Sequence, residues 1–211
     1  MAAVRRCRTV WPILALWGLA PAVASTAAGQ ETTIEGSAAV PFRASEWQVR
    51  AGKWRFEAKG ELVCEGSVRS SLLYLRRFSA RDVEISVEVK FLGPESSAGI
   101  FFRAAGERFY EDTSFYQLEW YTRGHHHDRR LSLMTKNPRW KQIVTPIIRE
   151  APIGKWITFR VRAVGDHLEA FIDDERVFDQ RDRTFPRPGR LGLHVFQPQE
   201  VRFRNVRVSR L

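Results

Sequence analysis

Cysteine is scarce in this chain: its 211 residues hold only Cys7 and Cys64. Cys7 lies ahead of the first apolar segment, so a chain processed after that segment keeps one thiol and cannot form an internal disulfide. Its fold must then rest on its core. Cys64 sits in Glu61-Leu-Val-Cys-Glu65, a short apolar run in which a buried, unreactive thiol is expected. Long apolar runs are missing too. The longest, Val10 to Val23, is interrupted by Pro12 and Pro21 and falls short of the ~20 residues that span a bilayer. No stretch carries a sustained helical period, which argues against an α-rich fold. There is no Gly-Lys-Ser/Thr phosphate loop, no serine-centred elbow and no Cys-x-x-Cys pair, so those chemistries drop out. Basic residues are scattered instead of blocked, and no nucleic-acid-binding motif appears.

The sequence opens with a basic segment, Arg5, Arg6 and Arg8, followed by the short apolar run and then Ala22-Val23-Ala24. That order describes a secretory signal peptide over residues 1–24. The protein is expected to be exported, to a periplasmic or extracellular location. An uncleaved signal anchor is the lesser alternative. Residues 25–40, rich in small residues, read as a flexible segment, and residues 41–211 as one domain, expected to be monomeric.

The net charge of +10 falls to +7 once the three leader arginines are removed. Such a balance favours an anionic partner, although arginines at alternating positions, such as Arg160, Arg162, Arg202, Arg204 and Arg207, also describe a solvated sheet face.

From Trp47 onward the pattern has period two. Val83, Ile85, Val87, Val89 and Phe91 alternate with polar residues, as do Ile157, Phe159, Val161 and Ala163. Each set describes a half-buried strand. Gly165-Asp166 and Asp173-Asp174 supply tight turns between such runs. Shorter candidates lie at Gly99–Arg103, Phe115–Tyr121, Leu131–Met134 and Gln142–Ile148, and about a dozen strands are expected. Many short strands without intervening helices indicate an all-β sandwich of two antiparallel sheets.

The closing third is the most specific stretch. Gly154-Lys-Trp156, Phe159 to Asp166, Leu168 to Asp173, Gly189-Arg-Leu-Gly192-Leu and Phe203-Arg-Asn205-Val206 follow in order. With Ser97-Ala-Gly99-Ile-Phe-Phe-Arg103 upstream, this string resembles the concanavalin A-like lectin/glucanase superfamily. Its nearest likenesses are the laminin-G-like domains and the 3-keto-disaccharide hydrolase family. The resemblance implies a jelly-roll sandwich and a role in binding or processing carbohydrate. It departs from the hydrolase family at Val40 to Trp47, where members carry a Leu-Phe-Asn-Gly-Lys-type segment. The paired Glu-x-Asp-x-x-Glu acids of the superfamily's glucanases are also missing.

Candidate site residues follow from the alternation. If Tyr116, Leu118 and Trp120 point inward, Gln117, Glu119 and Tyr121 share the opposite face, where an acid, an amide and aromatic rings suit a sugar groove. Glu119 is the candidate catalytic acid; an ordinary exposed sheet face is the competing reading. By the resemblance Arg103 faces the same groove, with a cross-strand ion pair as its alternative. Trp140 is read as a loop tryptophan, either a sugar platform or a core plug. His126, within His125-His126-His127-Asp128, is a candidate glycan contact. Adjacent residues of an extended segment face opposite ways, so the run is a poor metal site and no metal is expected there. Calcium at Asp173-Asp174 is the lesser reading beside a plain turn, and no other cofactor is expected. The expected partner is a carbohydrate or glycan, an anionic one among the options, and neither nucleic acid nor a membrane span after signal cleavage is expected. Glycan recognition is the favoured function; a glycoside hydrolase acting on plain or 3-keto glycosides, and an accessory protein-interaction domain, are the alternatives.

Overall fold

The computed structural model describes residues 37–106, 112–122, 130–197 and 199–211. The expected leader at 1–24, most of the 25–40 segment and His125–His127 lie outside these residues. Sixteen strands form the fold: β1 (Ala38–Ala39), β2 (Trp47–Ala51), β3 (Trp54–Phe56), β4 (Leu62–Cys64), β5 (Ser67–Leu75), β6 (Val83–Phe91), β7 (Ser97–Ala105), β8 (Ser114–Tyr121), β9 (Arg130–Asn137), β10 (Arg139–Gln142), β11 (Ile147–Ile148), β12 (Ile157–Val164), β13 (His167–Ile172), β14 (Glu175–Arg181), β15 (Arg190–Gln197) and β16 (Val201–Arg210). The described residues contain no helix, and so none long and apolar enough to cross a membrane.

The strands make two antiparallel sheets of eight. One runs β14-β13-β12-β6-β16-β4-β3 with β1 beside β16; the other runs β10-β9-β8-β7-β15-β5-β2 with β11 beside β9. This is the expected jelly-roll sandwich, built from more strands than the dozen read from sequence. The surplus comes from the short strands β1, β2 and β4 and from a hairpin at Pro138. There the predicted Gln142–Ile148 strand divides: β10 runs Arg139–Gln142 and pairs back on β9. Trp140 therefore lies on a strand, correcting its placement in a loop.

The inner faces of the two sheets meet in one core that includes Trp47, Phe91, Phe102, Tyr116, Trp120, Phe159 and Phe203. Side chains alternate in and out of each sheet, so Ile157, Phe159, Val161 and Ala163 are buried while Thr158, Arg160 and Arg162 are half-buried. Both predicted tight turns occur. Val164 pairs with His167 around Gly165, whose φ is +58°. Ile172 pairs with Glu175 around Asp173 and Asp174, both at positive φ, the conformation a two-residue hairpin needs to match strand twist.

The outer faces of the sheets differ. On the first sheet the outward residues are half-buried arginines in ion pairs with half-buried or buried acids, such as Arg204–Glu88 at 2.6 Å and Arg162–Glu169 at 2.9 Å. That is the solvated face the alternating arginines predicted. On the second sheet, β7, β8 and β9 are buried on both faces for nearly their whole length. Their outer face nevertheless carries Ser97, Gln117, Glu119 and Ser132. Buried acids and amides are rare unless a network satisfies them; the first sheet pairs its own, Glu84 and Glu169, with arginines, whereas Glu119 faces hydroxyls and a histidine.

Candidate functional site

Strand pairing lines up one row across the outer face of the second sheet. Ser132 of β9 pairs with Glu119 of β8, Glu119 with Gly99 of β7, and Gly99 with His194 of β15. Glu119 and His194 thus sit on strands separated by β7, two strand spacings apart, or ~10 Å along the sheet. Between them stands a glycine. Its bare backbone lets the two side chains lean together until His194 Nδ1 is 3.2 Å from Glu119 Oε1. A Cβ on Gly99 would come within 2.1 Å of the Leu118 carbonyl oxygen and 3.0 Å of Glu119 Cα.

The carboxylate is fully engaged. Ser97 Oγ donates to Oε1, Tyr121 donates its hydroxyl to Oε2 at 2.8 Å, and His194 approaches Oε1. Burial pushes the Glu119 carboxyl up, but the charge His194 carries when protonated and the hydrogen bonds from His194, Ser97 and Tyr121 outweigh it and hold the group below its ordinary range. Tyr121 moves the other way: burial, then the adjacent Glu119 charge and hydrogen bond, push its hydroxyl well up. The phenol is therefore a donor and no base. The Gln117 amide lies 2.8 Å from the same His194 Nδ1. A bare Nδ1 would set its lone pair against the carboxylate. A protonated Nδ1, with the Gln117 amide turned oxygen-inward, satisfies all three groups.

Above this network lies a cavity of about 350 Å³, lined by Glu119, Tyr121, His194, Arg130, Trp140 and Gln142 among others. Trp140 reaches it from β10, in edge contact with Phe115 at 5.5 Å and 6.4 Å from the His194 ring. Its indole is 42% exposed, unlike the buried core tryptophans. Arg130 lies over the Tyr121 ring at 5.6 Å. The cavity thus joins a buried acid–imidazole pair, an exposed indole and two cations, Arg130 and Lys141. Among the described lining residues, Glu119 supplies the only carboxylate.

Of the residues singled out in the sequence, Glu119, Tyr121 and Trp140 line this cavity, and Gln117 lies beneath it against His194. Arg103 does not join them. A register shift between Phe102 and Ala105 and a φ of +51° turn it out of the simple alternation. Its Nε donates to the Arg81 carbonyl at 2.7 Å, its Nη2 lies 3.7 Å from Asp82, and it packs toward the Tyr116 ring. It is a buried structural cation, near the ion-pair alternative. His126 lies outside the described residues.

His194, Ser97 and Arg130 were missed by sequence reading. A signal for His194 existed: Leu191, Leu193 and Val195 face the core, so period two puts His194 on the outer face. Its partner stayed hidden because strand order joins them, not sequence distance.

Two other groupings are accounted for without a ligand. Asp173 Oδ1 accepts the Thr158 amide at 2.7 Å and Asp174 pairs with Arg160 at 3.7 Å, so this turn uses its acids internally. His167, Glu169 and Asp179 offer ligand atoms within 4.8 Å of one another. Arg176, however, bonds both acids, at 3.2 and 2.7 Å, and Arg162 bonds Glu169. Cations already occupy that cluster.

Several solved structures share the sandwich. A carbohydrate-binding module, CBM66 from Bacillus subtilis, aligns with a TM-score of 0.63 and 17% identity, covering 76% of this chain and 93% of its own. A Bacillus licheniformis beta-glucanase aligns with a TM-score of 0.61 and 9% identity, covering 82% and 97%. The Emp47p carbohydrate recognition domain gives 0.59 and 13%, covering 83% and 97%. At these identities the likeness is one of fold. No curated protein sequence matches this chain. The family model described as the 3-keto-alpha-glucoside-1,2-lyase-like domain matches residues 39–209, and the chain belongs to that family.

Proposed function

We propose that this protein is an exported carbohydrate-processing domain that takes a 3-keto-glucoside in the cavity of the second sheet and acts on it through His194 and Glu119. The observation that carries this reading is the 3.2 Å contact between those two buried side chains on the cavity wall. Hydrolysis by two carboxyl groups needs a second acid across the scissile bond, and the described lining residues supply only Glu119. Elimination needs one base. In a 3-keto sugar the hydrogen on C2 is acidic because it lies next to the carbonyl. A base that removes it leaves an enolate; collapse of that electron pair into a C1=C2 double bond expels the C1 oxygen, which leaves with the aglycon and is protonated. With its ring neutral, His194 is the group suited to take the proton, and Glu119 holds its Nδ1 edge and stabilises the imidazolium that forms. Trp140 offers its indole as a stacking surface for the ring. The Arg5–Arg8 leader and Ala22-Val23-Ala24 support export and a periplasmic or extracellular site of action.

The test is to incubate the protein with a 3-keto-glucoside bearing a chromogenic aglycon. Release that disappears in His194→Ala, with sugar binding retained, supports the reading. A second reading, recognition without catalysis, is favoured by the exposed Trp140 indole. Binding by the wild-type protein without any release would establish it instead. Absence of both binding and release would remove the cavity from consideration.

A further inference from the structure

We propose that Arg130 makes this cavity selective for a glycoside that carries a carboxylate, as a hexuronate does. The inference rests on the reading of the cavity as a carbohydrate site. Arg130 begins β9 and lines the cavity. Its Nε is shielded from solvent and has no hydrogen-bond partner. No carboxylate among the described residues lies within ion-pair distance of it, whereas Arg160, Arg162 and Arg204 on the other sheet's outer face are each paired with an acid. The cavity's own acid is not available to it, because Ser97, Tyr121 and His194 already engage Glu119. The Tyr121 ring beneath the guanidinium removes water from one of its flat faces.

A guanidinium on the cavity wall with no acid beside it among the described residues carries a charge that a carboxylate compensates through a charge-assisted hydrogen bond. A neutral hydroxyl would satisfy the donor but leave the charge uncompensated. Gln142 Oε1, buried and without a partner in the same cavity, adds the complementary function, an acceptor for a sugar hydroxyl. Together they ask for a ligand that offers both an oxyanion and a hydroxyl. The positive balance of the whole chain draws such a ligand in without selecting it.

The test compares binding of methyl glucuronide, methyl glucoside and a glucose sulfate ester by calorimetry at one fixed, low salt concentration. The proteins are wild type, Arg130→Gln and Arg130→Lys, each checked by thermal melting. Wild type is expected to favour the glucuronide over the glucoside by about tenfold to a hundredfold, the range of a charge-assisted hydrogen-bond pair. Arg130→Gln abolishes that preference while leaving glucoside binding in place, and Arg130→Lys, which keeps the charge but loses the fork, retains part of it. Equal binding of glucuronide and glucoside by wild type, or a preference that survives in Arg130→Gln, overturns the proposal and leaves the carbohydrate reading intact. A preference for the sulfate ester overturns the choice of carboxylate. Failure of every sugar to bind wild type overturns the carbohydrate reading and this inference with it.

Discussion

Glu119 and His194 face each other at 3.2 Å across an intervening strand because Gly99, the residue between them, has no side chain. Glycine within a strand often marks a close approach by another group. Here the neighbours it admits are the acid and the imidazole of the proposed site.

Gly99→Ala should therefore damage both stability and the site. Its Cβ would meet the Leu118 carbonyl oxygen at 2.1 Å, and overpacking of this kind costs about 1–3 kcal/mol. Urea unfolding and sugar binding should both worsen. Gly60→Ala is the control: nothing lies within 4 Å of the added carbon, although φ is +76°. It should lose only about 1 kcal/mol through its backbone and bind sugar normally.

Glu119→Gln breaks a buried charged pair. Removing one partner of such a pair costs about 3–5 kcal/mol, so the midpoint of unfolding should fall markedly. The pH dependence has a definite sign. Glu119 is held below its ordinary value of 4.5 in the folded protein. The stability it contributes is thus present above that value and is lost as pH falls through the folded value. Acid unfolding curves of wild type and Glu119→Gln should converge below about pH 4.5. A constant gap between them down to the lowest pH would contradict the assignment of a charged Glu119.

Two tryptophans separate site from scaffold. Trp120 is fully buried between the sheets, and its replacement by alanine should cost about 3–5 kcal/mol. Trp140 is 42% exposed beside the cavity, so Trp140→Ala should cost about 1 kcal/mol of stability. It should nevertheless weaken sugar binding about tenfold, because an aromatic platform is lost. Chemical denaturation and titration calorimetry on both variants check the contrast.

Arg103→Met should behave as a core lesion. The arginine bonds the Arg81 and Phe185 carbonyls and pairs with Asp82, away from the cavity. Loss of these interactions should cost about 2–4 kcal/mol and leave sugar affinity unchanged under conditions where the variant is folded. A selective loss of affinity with normal stability would place Arg103 in the site after all.

The sequence made the scaffold legible because strand periodicity depends on neighbouring residues. Val83 to Phe91, Ile157 to Val164 and the two tight turns announce themselves locally. The same alternation correctly put Gln117, Glu119 and Tyr121 on one outer face. What it could not supply depends on strand order and local irregularity. His194 meets Glu119 only because β15 lies next to β7. Arg103 turns aside at a register shift, which period two cannot foresee. Trp140 reaches the cavity because the chain reverses at Pro138, where the sequence suggested only a loop.

The central claim, that His194 and Glu119 process a 3-keto-glucoside in this cavity, is tested most directly by following aglycon release together with the mass of the sugar product. Wild type should release the aglycon and yield the 1,2-unsaturated 3-keto sugar. His194→Ala should bind the substrate and release nothing. Undiminished release by His194→Ala, or a sugar product that carries solvent oxygen at C1 from the first turnover, would contradict the account.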